Sequence, residues 1–308
     1  MKKIFIDGSA GTTGLRIAER LENRKDITLI KLTEENRKDI EARRKALNEA
    51  DIAFLCLPDK ASIEAVALTE NTNTVLLDTS TAHRTNDEWA YGFPELSGKQ
   101  KEKIINSKRI AVPGCHASGF IALVYPLVEK GILPKGTLLS CFSLTGYSGG
   151  GKGMIAEYEA AERGELLNAP RQYGIAQSHK HLPEMVKICG IENEPVFIPV
   201  VSDFYSGMEV TIPIFASQIK GSAEDIKQIY KEKYQGPIVK YTEDFDESGF
   251  VAANKLSQKD CMEISVSGNQ DRILLIARYD NLGKGASGAA IQCMNLVLGI
   301  DETTGLDI

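Results

Sequence analysis

Between Lys3 and Val112, apolar runs of strand length alternate with helical patterns, and this alternation constrains the fold more than any other feature of the sequence. The runs cover residues 3–6, 27–32, 52–57, 75–77 and 109–112. Between them, Leu15, Ala18 and Leu21 share one helical face, as do Ile63, Val66 and Ala67. Such alternation predicts a Rossmann-like α/β domain over residues 1–114, a doubly wound parallel sheet that binds ligands at the carboxyl ends of its strands. Beyond residue 115 the strands lengthen and alternate, over 138–144, 196–201, 208–215, 262–267 and 273–279, with fewer helices between them. That texture predicts a second, α+β domain with a mixed sheet over 115–284. A helical pattern at 289–298 predicts that the segment 285–308 packs back on the first domain. The connection 146–178 holds a glycine-rich loop, a helix near 154–162 and a polar stretch, and a connection this long is more often functional than idle.

A chain of 308 residues suits two domains at roughly 100–200 residues each. A net charge of −6 argues against a nucleic-acid binder, which carries a concentrated basic face. The longest apolar stretch, 120–128, is broken by Pro126 and is too short to span a bilayer. Met1-Lys2-Lys3 is followed by too few apolar residues for a secretory leader, so the expectation is a cytoplasmic protein with no membrane partner. The six cysteines are scattered without a C-x-x-C pair, which fits thiols in a reducing compartment.

Gly8-Ser9-Ala10-Gly11-Thr12-Thr13-Gly14 follows the first strand and opens the first helix. A dinucleotide pyrophosphate docks at such a turn, because small residues admit its oxygens to backbone N–H groups at the positive end of a helix. The spacing is G-x-x-G-x-x-G, so the alternative is a tight strand-to-helix turn. After the second strand, Glu34 suits the ribose hydroxyl of NAD, while Arg37 and Lys38 suit the 2′-phosphate of NADP. The cationic pair favours NADP(H), and the acid keeps NAD open.

At the end of the fifth run, Pro113-Gly114 breaks the chain and Cys115 precedes a helical pattern over 120–130. Unpaired N–H groups and the dipole at a helix start favour thiolate, a nucleophile. A buried, inert thiol is the other reading. Two of the four histidines fall in Ser178-His179-Lys180-His181-Leu182-Pro183-Glu184. No third ligand stands at metal spacing, so no metal is expected, and a histidine acid–base for the thiol fits better. His116 adjoins Cys115, but successive helical side chains diverge and do not pair, so it is not expected to be the base. Arg84 follows the fourth strand and is a candidate anion clamp.

Five segments in this order resemble one family. They are the Gly8–Gly14 loop, Pro113-Gly114-Cys115, Gly146-Tyr147-Ser148-Gly149-Gly150-Gly151-Lys152, His179-Lys180-His181-Leu182-Pro183-Glu184 and Asp280-Asn281-Leu282-Gly283-Lys284-Gly285-Ala286-Ser287-Gly288. Together they resemble the short form of the N-acetyl-γ-glutamyl-phosphate reductases, relatives of aspartate-semialdehyde dehydrogenase. The resemblance implies reduction of N-acetyl-γ-glutamyl phosphate to N-acetylglutamate 5-semialdehyde and phosphate in arginine biosynthesis, with NADPH as the hydride source and a cysteine thioester as intermediate. It implies Cys115 as nucleophile and His179 as acid–base, with Arg84, Tyr173 and His181 lining the substrate pocket. It also implies cofactor contacts from the Gly8–Gly14 loop (Gly8, Ser9, Gly11, Thr12, Thr13 and Gly14) and from Ser148, Gly149 and Asn281. His116 and Ala117 stand where many relatives carry an aromatic and other small residues, which implies a tuned pocket and an unchanged reaction. The family further implies a homo-oligomer, a dimer or tetramer. Aspartate-semialdehyde dehydrogenase usually places Asn before its cysteine, where this sequence has Gly114. A relative acting on a longer N-acylated acid in lysine synthesis, or aspartate-semialdehyde dehydrogenase itself, stands as the alternative.

Overall fold

The computed structural model describes residues 1–308. Two units result: Met1–Gly114 with Ala286–Leu306, and Cys115–Gly285 with Asp307–Ile308. The first opens with β1 (Lys2–Asp7), α1 (Thr12–Glu22), β2 (Ile27–Ile30), α2 (Ile40–Glu49), β3 (Ile52–Leu55) and α3 (Asp59–Leu68). It continues through β4 (Val75–Asp78), β5 (Ala90–Tyr91), α4 (Gly98–Asn106) and β6 (Arg109–Ala111). The second holds α5 (Cys115–Glu129), β7 (Ser140–Gly146), α6 (Gly151–Glu159), β8 (Arg171–Gln172), α7 (Leu182–Cys189), β9 (Val196–Ser202) and β10 (Met208–Phe215). It is completed by α8 (Ala223–Lys233), β11 (Val239–Tyr241), β12 (Met262–Gly268) and β13 (Arg272–Tyr279), after which α9 (Gly288–Leu298) belongs to the first unit.

In the first unit all six strands run parallel, in the order β2-β1-β3-β4-β6-β5. The order reverses between β1 and β3, the switch point at which doubly wound sheets take their ligands. Ile4, Ile6, Phe54 and Leu77 face one side, where they meet Ile17 and Leu21 of α1 and Ile291 and Met294 of α9. Phe5, Ala53, Leu55 and Leu76 face the other, against Ala46 and Leu47 of α2 and Ala65 of α3. Strands covered on both faces are apolar at successive positions through their middles, which is why they stand out in the sequence.

Two helix faces differ from the apolar pattern. Leu15 is 48% exposed, and α1 instead buries Gly14, Ile17 and Leu21. Ile63 is 56% exposed and Ala67 is exposed, while α3 buries Ser62, Ala65 and Leu68. In α1 the buried stripe starts at Gly14, which lies against the Gly8 carbonyl, and in α3 the small Ser62 and Ala65 are buried where the bulkier Ile63 is not. The charged segment that forms α2 docks by a polar anchor. Asp39 accepts the Ala42 N–H at 2.8 Å, and Arg43 reaches the buried Asp7 carboxylate at 3.0 Å and Glu64 at 2.7 Å.

The second unit is built on a seven-stranded mixed sheet, β11-β12-β13-β10-β7-β9-β8, in which β7–β9 and β11–β12 pair in parallel. Helix α5 packs on β10 and β13 and between α7 and α8. It is buried almost all round, as a helix apolar on every face must be. Pro126 within it has no N–H for the Ala122 carbonyl, and the Tyr234 hydroxyl donates to that oxygen at 2.6 Å instead. Asp307 belongs with this unit because its N–H donates to Asp260 Oδ2 at 2.9 Å and its carbonyl accepts the Asp260 N–H at 2.6 Å. The last two residues are thereby separated from α9, which the sequence places in one segment with them. No helix is long and apolar enough to cross a membrane.

Candidate active site

Helix α5 starts at Cys115 itself, earlier than its apolar pattern indicates, so the thiol residue occupies the first helical position. Cys115 is half-buried and none of the cysteines forms a disulfide. Under this turn the Tyr279 hydroxyl donates to the Cys115 carbonyl at 2.6 Å and accepts the Gly119 N–H at 3.0 Å. An α-helix joins those two backbone groups across its first turn, so Tyr279 ties the start of α5 to β13. A Cβ on Gly119 would lie 2.7 Å from that hydroxyl oxygen, which is why the position carries no side chain.

His116 is buried, with Nδ1 2.6 Å from Ser143 Oγ on β7 and Nε2 2.6 Å from Tyr173 Oη just past β8. Burial, with the like charges of His179 and Lys180, brings its pKa down to about 3, so the ring is neutral. Around it lie the rings of His179 at 5.6 Å, His181 at 5.6 Å and Phe197 at 5.3 Å. His179 stands 6.1 Å from the Tyr173 ring and 4.7 Å from that of His181. The structure therefore brings Tyr173, His179 and His181 together around the residue that follows Cys115. Ser143 and Tyr279 were not visible as site residues in the sequence. Each is one inward position on an alternating strand, and only tertiary contact distinguishes it.

His179 Nδ1 accepts the His181 N–H at 3.2 Å, so the neutral ring carries its proton on Nε2. Burial, then the neighbouring Lys180 charge, lowers its pKa to about 4. An imidazolium would need a proton on Nδ1, against the His181 N–H. The geometry therefore leaves the His179 Nε2–H as a hydrogen-bond donor near neutral pH, which fits the donor side of the acid–base role that the resemblance implies.

Ser148, Gly149 and Asn281 also meet. Asn281 Nδ2 donates to Ser148 Oγ at 3.0 Å, and its Oδ1 accepts the Gly207 N–H at 2.9 Å. A Cβ on Gly149 would lie 3.4 Å from Asn281 Nδ2.

In the first unit, the Gly8–Gly14 loop leaves β1 at the switch point. Gly8 has φ +86°, and a Cβ on it would lie 2.3 Å from the Cys56 carbonyl oxygen. A Cβ on Gly14 would lie 2.4 Å from the Gly8 carbonyl oxygen, so α1 closes on the loop only with glycine there. Gly11 caps α1 without a side chain, and no acidic residue lies in the first turn. Thr12 Oγ1 is buried there with no hydrogen-bond partner. An orphaned hydroxyl among bare helix-start N–H groups fits a pyrophosphate. Ser9, Thr12 and Thr13 surround that cradle in sequence. Past β2, Arg37 and Lys38 are exposed, and Arg37 Nε pairs with Glu34 at 2.6 Å. Arg84 is buried in this unit, with Nε on the Val112 carbonyl at 2.9 Å and Nη2 on the Thr79 carbonyl at 2.8 Å.

Residues 3–104 match the family model of the semialdehyde dehydrogenase NAD binding domain, and residues 115–281 match that of the semialdehyde dehydrogenase dimerisation domain. N-acetyl-gamma-glutamyl-phosphate reductase 2 of a Nostoc species is 42% identical, over 99% of this chain and 99% of its own. N-acetyl-gamma-glutamyl-phosphate reductase of Brucella ovis is 44% identical, over 96% of this chain and 99% of its own. Among solved structures, aspartate semialdehyde dehydrogenase II of Vibrio cholerae, complexed with ASA, has a similar fold. Its TM-score is 0.72 at 16% identity, covering 97% of this chain and 98% of that one. Aspartate semialdehyde dehydrogenase of Candida albicans, solved with NADP, gives a TM-score of 0.67 at 16% identity, covering 97% and 98%. The chain belongs to the N-acetyl-γ-glutamyl-phosphate reductase family, within the semialdehyde dehydrogenase superfamily.

Proposed function

We propose that this chain reduces N-acetyl-γ-glutamyl phosphate to N-acetylglutamate 5-semialdehyde and phosphate, a step of arginine biosynthesis, with NADPH as cofactor and Cys115 as nucleophile. The observation that carries the reading is a cysteine at the first position of α5, followed by His116, against whose ring packs His179 with its proton fixed on Nε2. The Cys115 thiolate attacks the acyl carbonyl carbon, the bond to the phosphate oxygen breaks, and phosphate leaves with that electron pair. NADPH, when bound, supplies the hydride that reduces the resulting thioester. The tetrahedral oxyanion then collapses to aldehyde and expels the Cys115 thiolate, so no proton need be added to the oxygen. His179 serves both tetrahedral states by donating its Nε2–H to the oxyanion. Arg84 and His181 are the residues we assign to the substrate's anionic groups, and Ser148, Gly149 and Asn281 those we assign to the cofactor.

The cofactor choice rests on Arg37 and Lys38. Glu34, the acid that would take a ribose hydroxyl, is already ion-paired with Arg37. Replacing Arg37 and Lys38 together by Ala is expected to raise the KM for NADPH by about 10–100-fold, as losing one or two charge-assisted hydrogen bonds does. The KM for NADH should change by less than about 2-fold. Equal effects on both cofactors in steady-state kinetics would remove this assignment.

The outer face of the second unit's sheet supports a homo-oligomer. Phe142, Phe215, Val196 and Leu274 are 36%, 60%, 56% and 37% exposed there. In register, Ile198, Phe142, Thr211 and Ile276 make a continuous row across the strands. A second copy of the chain covers such a face in a dimer or tetramer, and sedimentation equilibrium is expected to give more than one chain per particle. Six cysteines with no disulfide suit the reducing cytoplasm.

The decisive assay runs the reaction in reverse, following phosphate-dependent reduction of NADP⁺ with three semialdehydes. N-acetylglutamate semialdehyde should exceed its homologue one methylene longer by about 10–200-fold in kcat/KM, the range one methylene allows. Preference for the longer substrate would move the chain to the lysine-type reaction. Preference for aspartate semialdehyde would overturn the reading.

A further inference from the structure

Resting on that function, we propose that Ser143 and His116 fix the proton on Tyr173, making its hydroxyl a second donor to the oxyanion formed on Cys115. Ser143 is fully buried on β7, and its hydroxyl meets one partner, His116 Nδ1, at 2.6 Å. A buried hydroxyl whose hydrogen finds no acceptor costs about 1–3 kcal/mol. The Ser143 O–H therefore donates to Nδ1, and the neutral ring keeps its one proton on Nε2. That N–H donates to Tyr173 Oη at 2.6 Å. The Tyr173 oxygen accepts, and its own hydrogen remains for a substrate oxygen. The opposite tautomer would consume the Tyr173 hydrogen on Nε2 and strand that of Ser143.

Placement points this donor at the reaction. His116 is the residue bonded to Cys115, and the Tyr173 and His179 rings both pack against it, at 6.1 and 5.6 Å. Burial and the nearby Cys115 charge push the Tyr173 phenol up, so it stays protonated throughout the neutral range. Two donors on one oxyanion is the arrangement that acyl transfer exploits. His116 is a positioning residue in this scheme, since it acts through Tyr173. Position 116 thereby has a task distinct from a base, and a ring with two nitrogens suits it where an apolar aromatic would not.

The test is a double-mutant cycle on the intact enzyme. Tyr173→Phe and His116→Phe should each lower kcat by about 10–100-fold, with the KM for the acyl phosphate within about 2-fold. The double variant should be no worse than the poorer single, because both remove one donor. His116→Gln, whose amide N–H reaches the place of Nε2–H, should recover most of the rate, and the shorter His116→Asn should not. Nitrogen NMR of labelled histidine gives a readout independent of turnover. It should show His116 protonated on Nε2 in the wild type and as a tautomer mixture in Ser143→Ala. Additive rate losses, or a His116 proton on Nδ1, would overturn the inference while wild-type turnover stands. Absent wild-type turnover with the Nε2 tautomer present would instead overturn the function and, with it, the catalytic use of Tyr173.

Discussion

Cys115→Ser is expected to lower kcat on N-acetyl-γ-glutamyl phosphate by about 10³–10⁶-fold, the range seen when a covalent nucleophile is lost. The substitution is small, and the Tyr279 hydroxyl holds the carbonyl of residue 115, which Ser retains, so the start of α5 should survive. What changes is chemistry. A serine hydroxyl is not ionised by a helix N-terminus, and an ester accepts hydride less readily than a thioester. Stopped-flow loss of NADPH absorbance, with thermal melting as the folding control, measures the effect. A variant that folds normally and keeps more than a tenth of the wild-type rate would be incompatible with a Cys115 thioester.

His179→Ala is expected to cost about 10²–10³-fold in kcat, the usual consequence of deleting one oxyanion donor. The loss should fall on kcat with little change in KM, because the donor matters most when charge sits on the oxygen. Its pH behaviour separates this role from that of a general base. With a pKa near 4, His179 is neutral above that value, and its Nε2–H is present throughout the neutral range. Between pH 5 and 8, neutral His179 neither gains nor loses a proton, so the kcat profile should carry no limb from this residue. A rate that falls as pH drops through about 6.5, with the limb absent in His179→Ala, would restore the base role.

Different parts of the molecule were unequally visible in the sequence, for physical reasons. The five main strands of the parallel sheet are apolar on both sides because helices cover both faces, and unbroken apolar runs can be read directly. Helices α2 and α4 are largely charged, and α2 holds its place through the Arg43–Asp7 pair, which leaves no periodic apolar stripe. Leu15 and Ile63 misled because bulk at helical spacing does not by itself say which stripe is buried: Gly14, Ser62 and Ala65 are the inward positions.

At the site, the local signals survived translation into structure. Cys115 does begin a helix, and the histidine pair does lie in one cluster with Tyr173. The part that failed to show was tertiary. Nothing in sequence joins His116 to Ser143 and Tyr173, 27 and 57 residues away, or Tyr279 to the Cys115 carbonyl, 164 residues away. The divergence of neighbouring helical side chains gave no hint of the partners that His116 meets, Ser143 and Tyr173. Likewise, two histidines separated by one residue cannot reveal that the backbone N–H of one occupies Nδ1 of the other.

The central claim is that carbon–sulfur bond formation at Cys115 precedes reduction. Mixing the enzyme with N-acetyl-γ-glutamyl phosphate without cofactor, quenching in acid and measuring intact mass tests it most directly. The predicted result is a mass gain of one N-acetylglutamyl group on the peptide carrying Cys115, removed by hydroxylamine and absent in Cys115→Ser. An enzyme that turns over with NADPH yet shows no acyl adduct on that peptide, or shows it on another cysteine, would contradict the account.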